Sequence, residues 1–312
     1  MAKVRHAAGG LVQRRPRLKG WPSSVPCFFL PLDEGKGEFV TNHGTMGDPV
    51  YRLTDPATQW RSDGRFTTND SKYEIAWPPT KPENATFLDK LYFFRDCIPA
   101  NPGVGGNILM VSFRAEGPVG MNSRTFSVGV SGNSVDAAAW QIHIQGLANV
   151  KPWLRFFYRD GVTEVGSDSL ADLNATLEGG IYVRQENHVV MLLDALNADV
   201  FVWLDGVPVA IAQANKDSAI ALFKQFTSPT DWDTNGVTLT VGNSCFPASA
   251  PGYRESVGTG KSLYGSPLSD LFIADVTALD AVLAARRDDI ANAMYKSPVG
   301  MLSEDVIALM TL

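Results

Sequence analysis

The chain has 312 residues, 45% of them hydrophobic and 19% charged, a balance that suits a packed core and excludes wholesale disorder. No stretch approaches the roughly 18–20 continuous apolar residues of a membrane-spanning helix. The net charge of −6 hides an asymmetry: residues 1–32 hold Lys3, Arg5, Arg14, Arg15, Arg17 and Lys19 and no acid, so the other 21 basic residues face all 33 acidic ones and the remainder carries −12.

The basic N-terminal arm (1–26) lacks the apolar run of a secretory signal, so synthesis in a cytoplasm is expected. Leu11, Val12, Leu18 and Trp21 punctuate the arm with apolar anchors. Arg5, Arg14, Arg15, Arg17, Lys19 and Trp21 are therefore read as a docking arm for an acidic neighbour or a sister subunit. The acidic body and the lack of a recognition motif argue against nucleic acid. Cys27, Cys97 and Cys245 are odd in number and form no CxxC pair, which speaks against a disulfide framework or a zinc site.

From residue 27 the pattern is β. Residues 27–32 read as a buried first strand, closed by the turn at Asp33-Glu34-Gly35. Residues 86–97 are apolar and aromatic, and 107–114 read as a central strand. In 140–146, Trp140, Ile142 and Ile144 alternate with Gln141, His143 and Gln145, which assigns the two sets to opposite faces. Residues 153–159 run into Asp160-Gly161, and 199–204 run into Asp205-Gly206. Asp-Gly between β-prone runs predicts a tight hairpin, since both residues tolerate positive φ. Pro208 places the strand after Gly206 at an edge, because proline has no N–H for a ladder. Further strands are predicted at 188–194, 237–242 and 268–274. Thr277 and Asp280 have capping-box spacing and predict a helix over 278–295; Ser303 predicts the cap of a short last helix through Leu309.

Four places in this order resemble the laminin G-like and concanavalin A-like lectin/glucanase superfamily. Leu32-Asp33-Glu34-Gly35-Lys36-Gly37 is similar to an "LDEGSG" opening. Val202-Trp203-Leu204-Asp205-Gly206-Val207-Pro208-Val209 is similar to a "lyvDGvlv" hairpin, and Leu239-Thr240-Val241-Gly242-Asn243 to a "l.iG" strand. Gly265 through Val276, followed by a helix, is similar to the closing segment. The resemblance spans roughly residues 27–295. It implies a mainly β fold, an antiparallel jelly-roll β-sandwich of concanavalin A-like type, over residues 27–275. An extended N-terminal arm (1–26) precedes it and a C-terminal helical tail (276–312) follows.

The superfamily includes glucanases with a Glu-x-Asp-x-x-Glu strand, whose carboxylates lie on one face at the spacing of retaining hydrolysis. Here no Glu is followed two positions later by Asp, and GxSxG, HExxH and P-loop patterns are absent too. The expectation is therefore of a chain that is not an enzyme, with a glycoside hydrolase lacking the usual motif as the third choice.

Asp231-Trp232-Asp233-Thr234-Asn235-Gly236 matches the first half of a calcium loop, but Gly242 stands where the bidentate Glu belongs. The residues read as a polar turn leading into the next strand, with calcium at Asp231, Asp233 and Asn235 as the alternative; no other cofactor is expected. For carbohydrate, the polar set Gln141, His143 and Gln145 with Arg155 is the candidate surface, and Trp153 or Trp232 the candidate stacking platform. The competing reading makes Trp140, Trp153 and Trp203 core aromatics.

Two functions follow as expectations. The first is a structural and interaction protein, most concretely a tailed-phage virion component in the tail, baseplate or capsid decoration. Its arm and C-terminal helices would dock on other virion proteins or sister subunits, as a homo-oligomer. The second is a carbohydrate-binding adhesin or receptor-binding module.

Overall fold

The computed structural model describes residues 4–5, 11–12, 18, 20–22, 25–45, 50–52, 60, 75–76, 108–116, 123–132, 139–146, 151–160, 163–166, 169–178, 181–183, 185–225, 237–242 and 268–311. The strands are β1 (Val4–Arg5), β2 (Leu11–Val12), β3 (Cys27–Leu30), β4 (Phe39–Thr41), β5 (Val50–Arg52), β6 (Ile75–Ala76), β7 (Ile108–Glu116), β8 (Ser123–Gly132), β9 (Ala139–Gly146), β10 (Trp153–Asp160), β11 (Thr163–Gly166), β12 (Ala171–Asp172), β13 (Thr176–Glu178), β14 (Ile181–Val183), β15 (Glu186–Asp194), β16 (Asp199–Leu204), β17 (Val207–Pro208), β18 (Val237–Gly242) and β19 (Leu268–Asp275). The helices are α1 (Gln213–Gln225), α2 (Asp280–Lys296, entered through a 3-10 turn at Thr277–Leu279) and α3 (Glu304–Met310). Among the described residues no helix is long and apolar enough to cross a membrane.

The fold is mainly β and its two large sheets are antiparallel. One has six strands in the order β17-β16-β15-β7-β19-β3, the other seven, β11-β10-β9-β8-β18-β6 with β12 paired to β10. They share one core. Val111 and Phe113 of β7, Met191 and Leu193 of β15 and Ile273 of β19 meet Ile142 and Ile144 of β9 and Leu154 and Phe156 of β10. Helix α1 closes this core at one side: Ala219, Ile220, Leu222 and Phe223 are buried in it, with Phe223 edge-on to Phe156 at 5.9 Å. Local sequence patterning does not announce this helix. Its first half is polar, and the apolar spacing appears only from Ala219 onward.

The six-stranded sheet has a second core on its other face. Cys27, Phe29, Met110, Val190, Leu192, Trp203 and Phe272 pack there against Leu283, Ile290 and Met294 of α2 and Val306, Ile307 and Met310 of α3. The helical tail is thus a third layer over the chain's own sheet. Trp21 of the arm belongs to the same core, 8% exposed, its ring edge-on to Phe272 at 5.3 Å and its Nε1 donating to the Val25 carbonyl at 2.7 Å.

Edges and turns follow local chemistry. Asp205 (φ 52) and Gly206 (φ 78) form the expected hairpin turn into β17 at the sheet edge. Asp205 Oδ1 accepts from the His188 N–H at 2.8 Å and its Oδ2 from Asn174 Nδ2 at 2.7 Å, tying the turn to β15. At the opposite edge, β3 is guarded by the following loop, as exposed strand edges must be. Asn42 Oδ1 accepts from the N–H of Phe29 at 3.0 Å, and Thr45 Oγ1 from that of Cys27 at 3.0 Å. Gly44 lies so close to β3 that a Cβ there would collide with the Cys27 carbonyl.

The capping box at Thr277 and Asp280 does not form. Thr277 Oγ1 instead donates to Asp275 at 2.6 Å and accepts from the Ile108 N–H at 2.9 Å, so it pins the chain to β7 before α2 begins. Asp280 turns away to Asn197. Ser303 does cap α3, accepting from the Val306 N–H at 3.5 Å.

Candidate functional site

Gln141, His143, Gln145, Trp153 and Arg155 lie on two paired strands of the seven-stranded sheet. Ile142, Ile144, Leu154 and Phe156 are wholly buried in the shared core. The alternate positions, 141, 143 and 145 of β9 and 153 and 155 of β10, therefore share the register opposite to that core. The pairing brings them together: Gln145 lies opposite Trp153, His143 opposite Arg155 and Gln141 opposite Phe157. β8 extends the row, with Arg124 opposite Gln145 and Ser127 opposite His143.

Trp153 and Arg155 are half-buried. Among the described residues neither core includes Trp153, whereas Trp203 lies in the second one at 1% exposure, as the competing reading has it. A partly buried indole two residues from an arginine offers an aromatic face beside a guanidinium. The side chains of Trp140, Gln141, His143 and Gln145 lie outside the description, as do Trp232, the loop with Asp231, Asp233 and Asn235, and Arg14, Arg15, Arg17 and Lys19. Arg5 pairs with Leu11 in the small β1–β2 ladder. Among the described residues no group of acidic, histidine or cysteine side chains is arranged to hold a metal ion. Cys27 is a buried free thiol, its pKa raised by burial to about 11.

The other polar feature has no short-range signature in the sequence. On the face of the six-stranded sheet beneath α2, the guanidinium of Arg114 donates from Nε to Asp270 Oδ2 at 2.9 Å. From Nη2 it donates to the carbonyls of Tyr295 at 2.7 Å and Ser297 at 3.1 Å. Asp270 sits at a break in the β19–β7 register with φ 56 and accepts the Gly300 N–H at 2.6 Å. Arg114 thus caps the C-terminus of α2, where a cation also complements the helix dipole. Beside it, Ser112 Oγ and His188 Nε2 are 3.0 Å apart, and among the described residues His188 Nδ1 has no hydrogen-bond partner.

Burial and the neighbouring Arg114 charge push His188 down to about 3, and burial raises Asp270 to about 6. The Ser112–His188 separation is that of a nucleophile and its base. Both residues are nevertheless sealed, at 1% and 3% exposure, with the Tyr295 ring centroid 5.9 Å from the imidazole. The contacts of the cluster join β7 and β19 to the C-terminal end of α2 and to Gly300.

No family model and no curated protein matches the chain. Solved structures do match it. A Trypanosoma rangeli sialidase does so at 11% identity and a TM-score of 0.43, over 92% of this chain and 34% of its own. The NanB sialidase from Streptococcus pneumoniae does so at 12% and 0.33, over 67% and 24%. A botulinum neurotoxin serotype C1 binding domain does so at 12% and 0.39, over 86% and 51%. The chain thus spans about a quarter of the NanB sialidase and a third of the trypanosomal one. At such identities and TM-scores no site and no role is carried over from them.

One expectation is corrected here. The expectation that the chain is not an enzyme is withdrawn: it rested on missing motifs alone, and sialidases stand among the solved structures that match the chain. The missing Glu-x-Asp-x-x-Glu strand rules out one arrangement of carboxylates and says nothing about other arrangements.

Proposed function

We propose that the chain is a lectin-like carbohydrate-binding protein of jelly-roll, concanavalin A-like type, with the glycan lying along the outward row of β8, β9 and β10. The observation that carries this reading is Trp153: half-buried, outside both cores, directly opposite Gln145 and two residues from Arg155. Pyranose rings stack on indole faces through their apolar C–H groups, while their hydroxyls bond to neighbouring amides and guanidinium groups. A glycan array at micromolar protein is expected to give signals that Trp153→Ala reduces at least about ten-fold, the loss of roughly 1.4 kcal/mol. An array with no signal, or signals indifferent to Trp153→Ala and Arg155→Ala, removes the reading.

A second reading, a tailed-phage virion component, has one observation in its favour. Trp21 fixes the base of the arm in the second core, so the basic residues before it would emerge from a defined place, as a docking arm requires. Deleting residues 1–17 is then expected to leave the sandwich folded and to abolish incorporation into a particle; incorporation of the shortened chain would sink it.

A further inference from the structure

We propose that the cleft between the β15–β16 hairpin and helix α2 is a second binding site, for a single neutral sugar ring or a similar polyol. It lies on the face of the six-stranded sheet remote from the Trp153 row and does not depend on that reading.

The cavity measures about 300 Å³, the lower end of the range for small-molecule sites and enough for one ring. Leu192 and Leu283, both buried, form its floor. Its walls are polar and held in place before any ligand arrives. Asp194 accepts from the Asn197 backbone N–H at 2.8 Å and from its Nδ2 at 2.9 Å, and the same Nδ2 donates to Asp280 Oδ1 at 3.0 Å. Asp199 Oδ1 is held by Lys216 Nζ at 2.8 Å.

Arg287 points to a ligand. Its guanidinium carbon lies 3.9 Å from the centroid of the half-buried Phe201 ring. Although three carboxylates line the same cleft, Arg287 has neither a hydrogen-bond nor an ion-pair partner among the described residues. The contact with the ring steadies the guanidinium and leaves its N–H donors without a partner among the described residues.

Charge then selects the ligand class. Asp194, Asp199 and Asp280 carry three negative charges, and Arg287 and Lys216 two positive ones, so the cleft has a mixed field with a slight negative excess. An anion meets the carboxylates, and a cation meets Arg287 and Lys216. A hydroxyl both donates and accepts, so a neutral polyol bridges a guanidinium edge and a carboxylate oxygen. Asp199 and Asp280 each keep Oδ2 outside the protein contacts above, ready to accept.

The test uses the full chain, isotope-labelled, titrated with the methyl glycosides of glucose, galactose, mannose and N-acetylglucosamine. Sodium phosphate and methylammonium chloride serve as charged controls. At millimolar ligand, the affinity expected of one ring held by a few hydrogen bonds, at least one glycoside should shift the amides of Asn197, Phe201 and Ala284. Arg287→Ala should weaken this at least about ten-fold. Ala284→Trp, a substitution at an exposed helix position on the cleft wall, should abolish it with the melting temperature retained. Trp153→Ala should leave it unchanged, so the two sites fail or stand separately. The proposal is overturned if no glycoside shifts these amides, if only phosphate or methylammonium does, or if the shifts survive both cleft variants.

Discussion

The two sheets of this molecule are written differently in the sequence. In the six-stranded sheet the strands are continuous apolar runs: Cys-Phe-Phe-Leu in β3, Val-Val-Met-Leu-Leu in β15, Leu-Phe-Ile-Ala in β19. In the seven-stranded sheet they alternate: Trp-Gln-Ile-His-Ile-Gln in β9, Val-Thr-Leu-Thr-Val in β18. A strand with one buried face needs an apolar residue only at every second position, whereas a strand buried on both faces needs them throughout. The six-stranded sheet is the middle layer, with the other sheet on one side and α2 and α3 on the other. The run of eight buried residues along β15 reports that second cover.

The sharpest way to break this comparison is to truncate the second core. Trp203 is 1% exposed and its Nε1 donates to Asp288 of α2 at 2.9 Å. Trp203→Ala is expected to cost about 3–5 kcal/mol, read as a drop in the urea midpoint. A cost under about 1 kcal/mol would mean that the helical layer adds little, and the sheet would behave as one covered on a single face.

Next in size is the fastening of that layer. Arg114→Ala leaves Asp270 buried without its cation and uncaps α2. Breaking a buried pair from one side costs about 3 kcal/mol or more, with the loss concentrated at the tail. Limited proteolysis should then cut within residues 297–303 while the sheets stay protected. Unchanged cleavage would make the pair incidental to the docking of the tail.

The same cluster makes a prediction about pH. His188 is held at about 3 against an ordinary 6.5, so between these values the unfolded chain carries a proton that the folded one lacks, and stability falls as pH drops below 6.5. Asp270 is held at about 6 against an ordinary 3.8, so between these values the folded chain carries the extra proton, and stability rises as pH drops below 6. Between pH 6 and about 4 the two slopes oppose each other, and this cluster contributes little net pH dependence. Each single variant should expose the partner. Relative to the parent, His188→Gln should gain stability on acidification over this window and Asp270→Asn should lose it, by about 2–3 kcal/mol across two pH units. Parallel pH profiles for parent and variants would show that neither group titrates as its burial implies.

Much of the frame was legible in the sequence. β16 and β18 fall on the expected residues, and the Asp205-Gly206 turn and the edge position of Pro208 follow from backbone chemistry alone. What was not legible depends on distant partners. Arg114 and Asp270 are 156 positions apart, and Thr277 reaches β7 across 169. A short-range rule therefore assigned Thr277 to a cap that a long-range hydrogen bond takes instead. On the β9–β10 face, the register of Gln145 with Trp153 and of His143 with Arg155 could be anticipated only in part, since alternation gives the face of a residue but not its neighbour on the next strand.

The smallest expected effect bears on that face. If the row of Trp153 on the seven-stranded sheet is a surface, Trp153→Ala should cost about 1–2 kcal/mol, since a partly buried ring outside both cores forfeits only part of a core tryptophan's burial. Measured by the same urea titration, Trp203→Ala should then cost roughly twice as much or more, although both tryptophans stand in strands of one sandwich. A loss at Trp153 as large as at Trp203 would mean that something covers this face as α2 and α3 cover the other. The row would then be a third core, and the glycan would have to bind elsewhere.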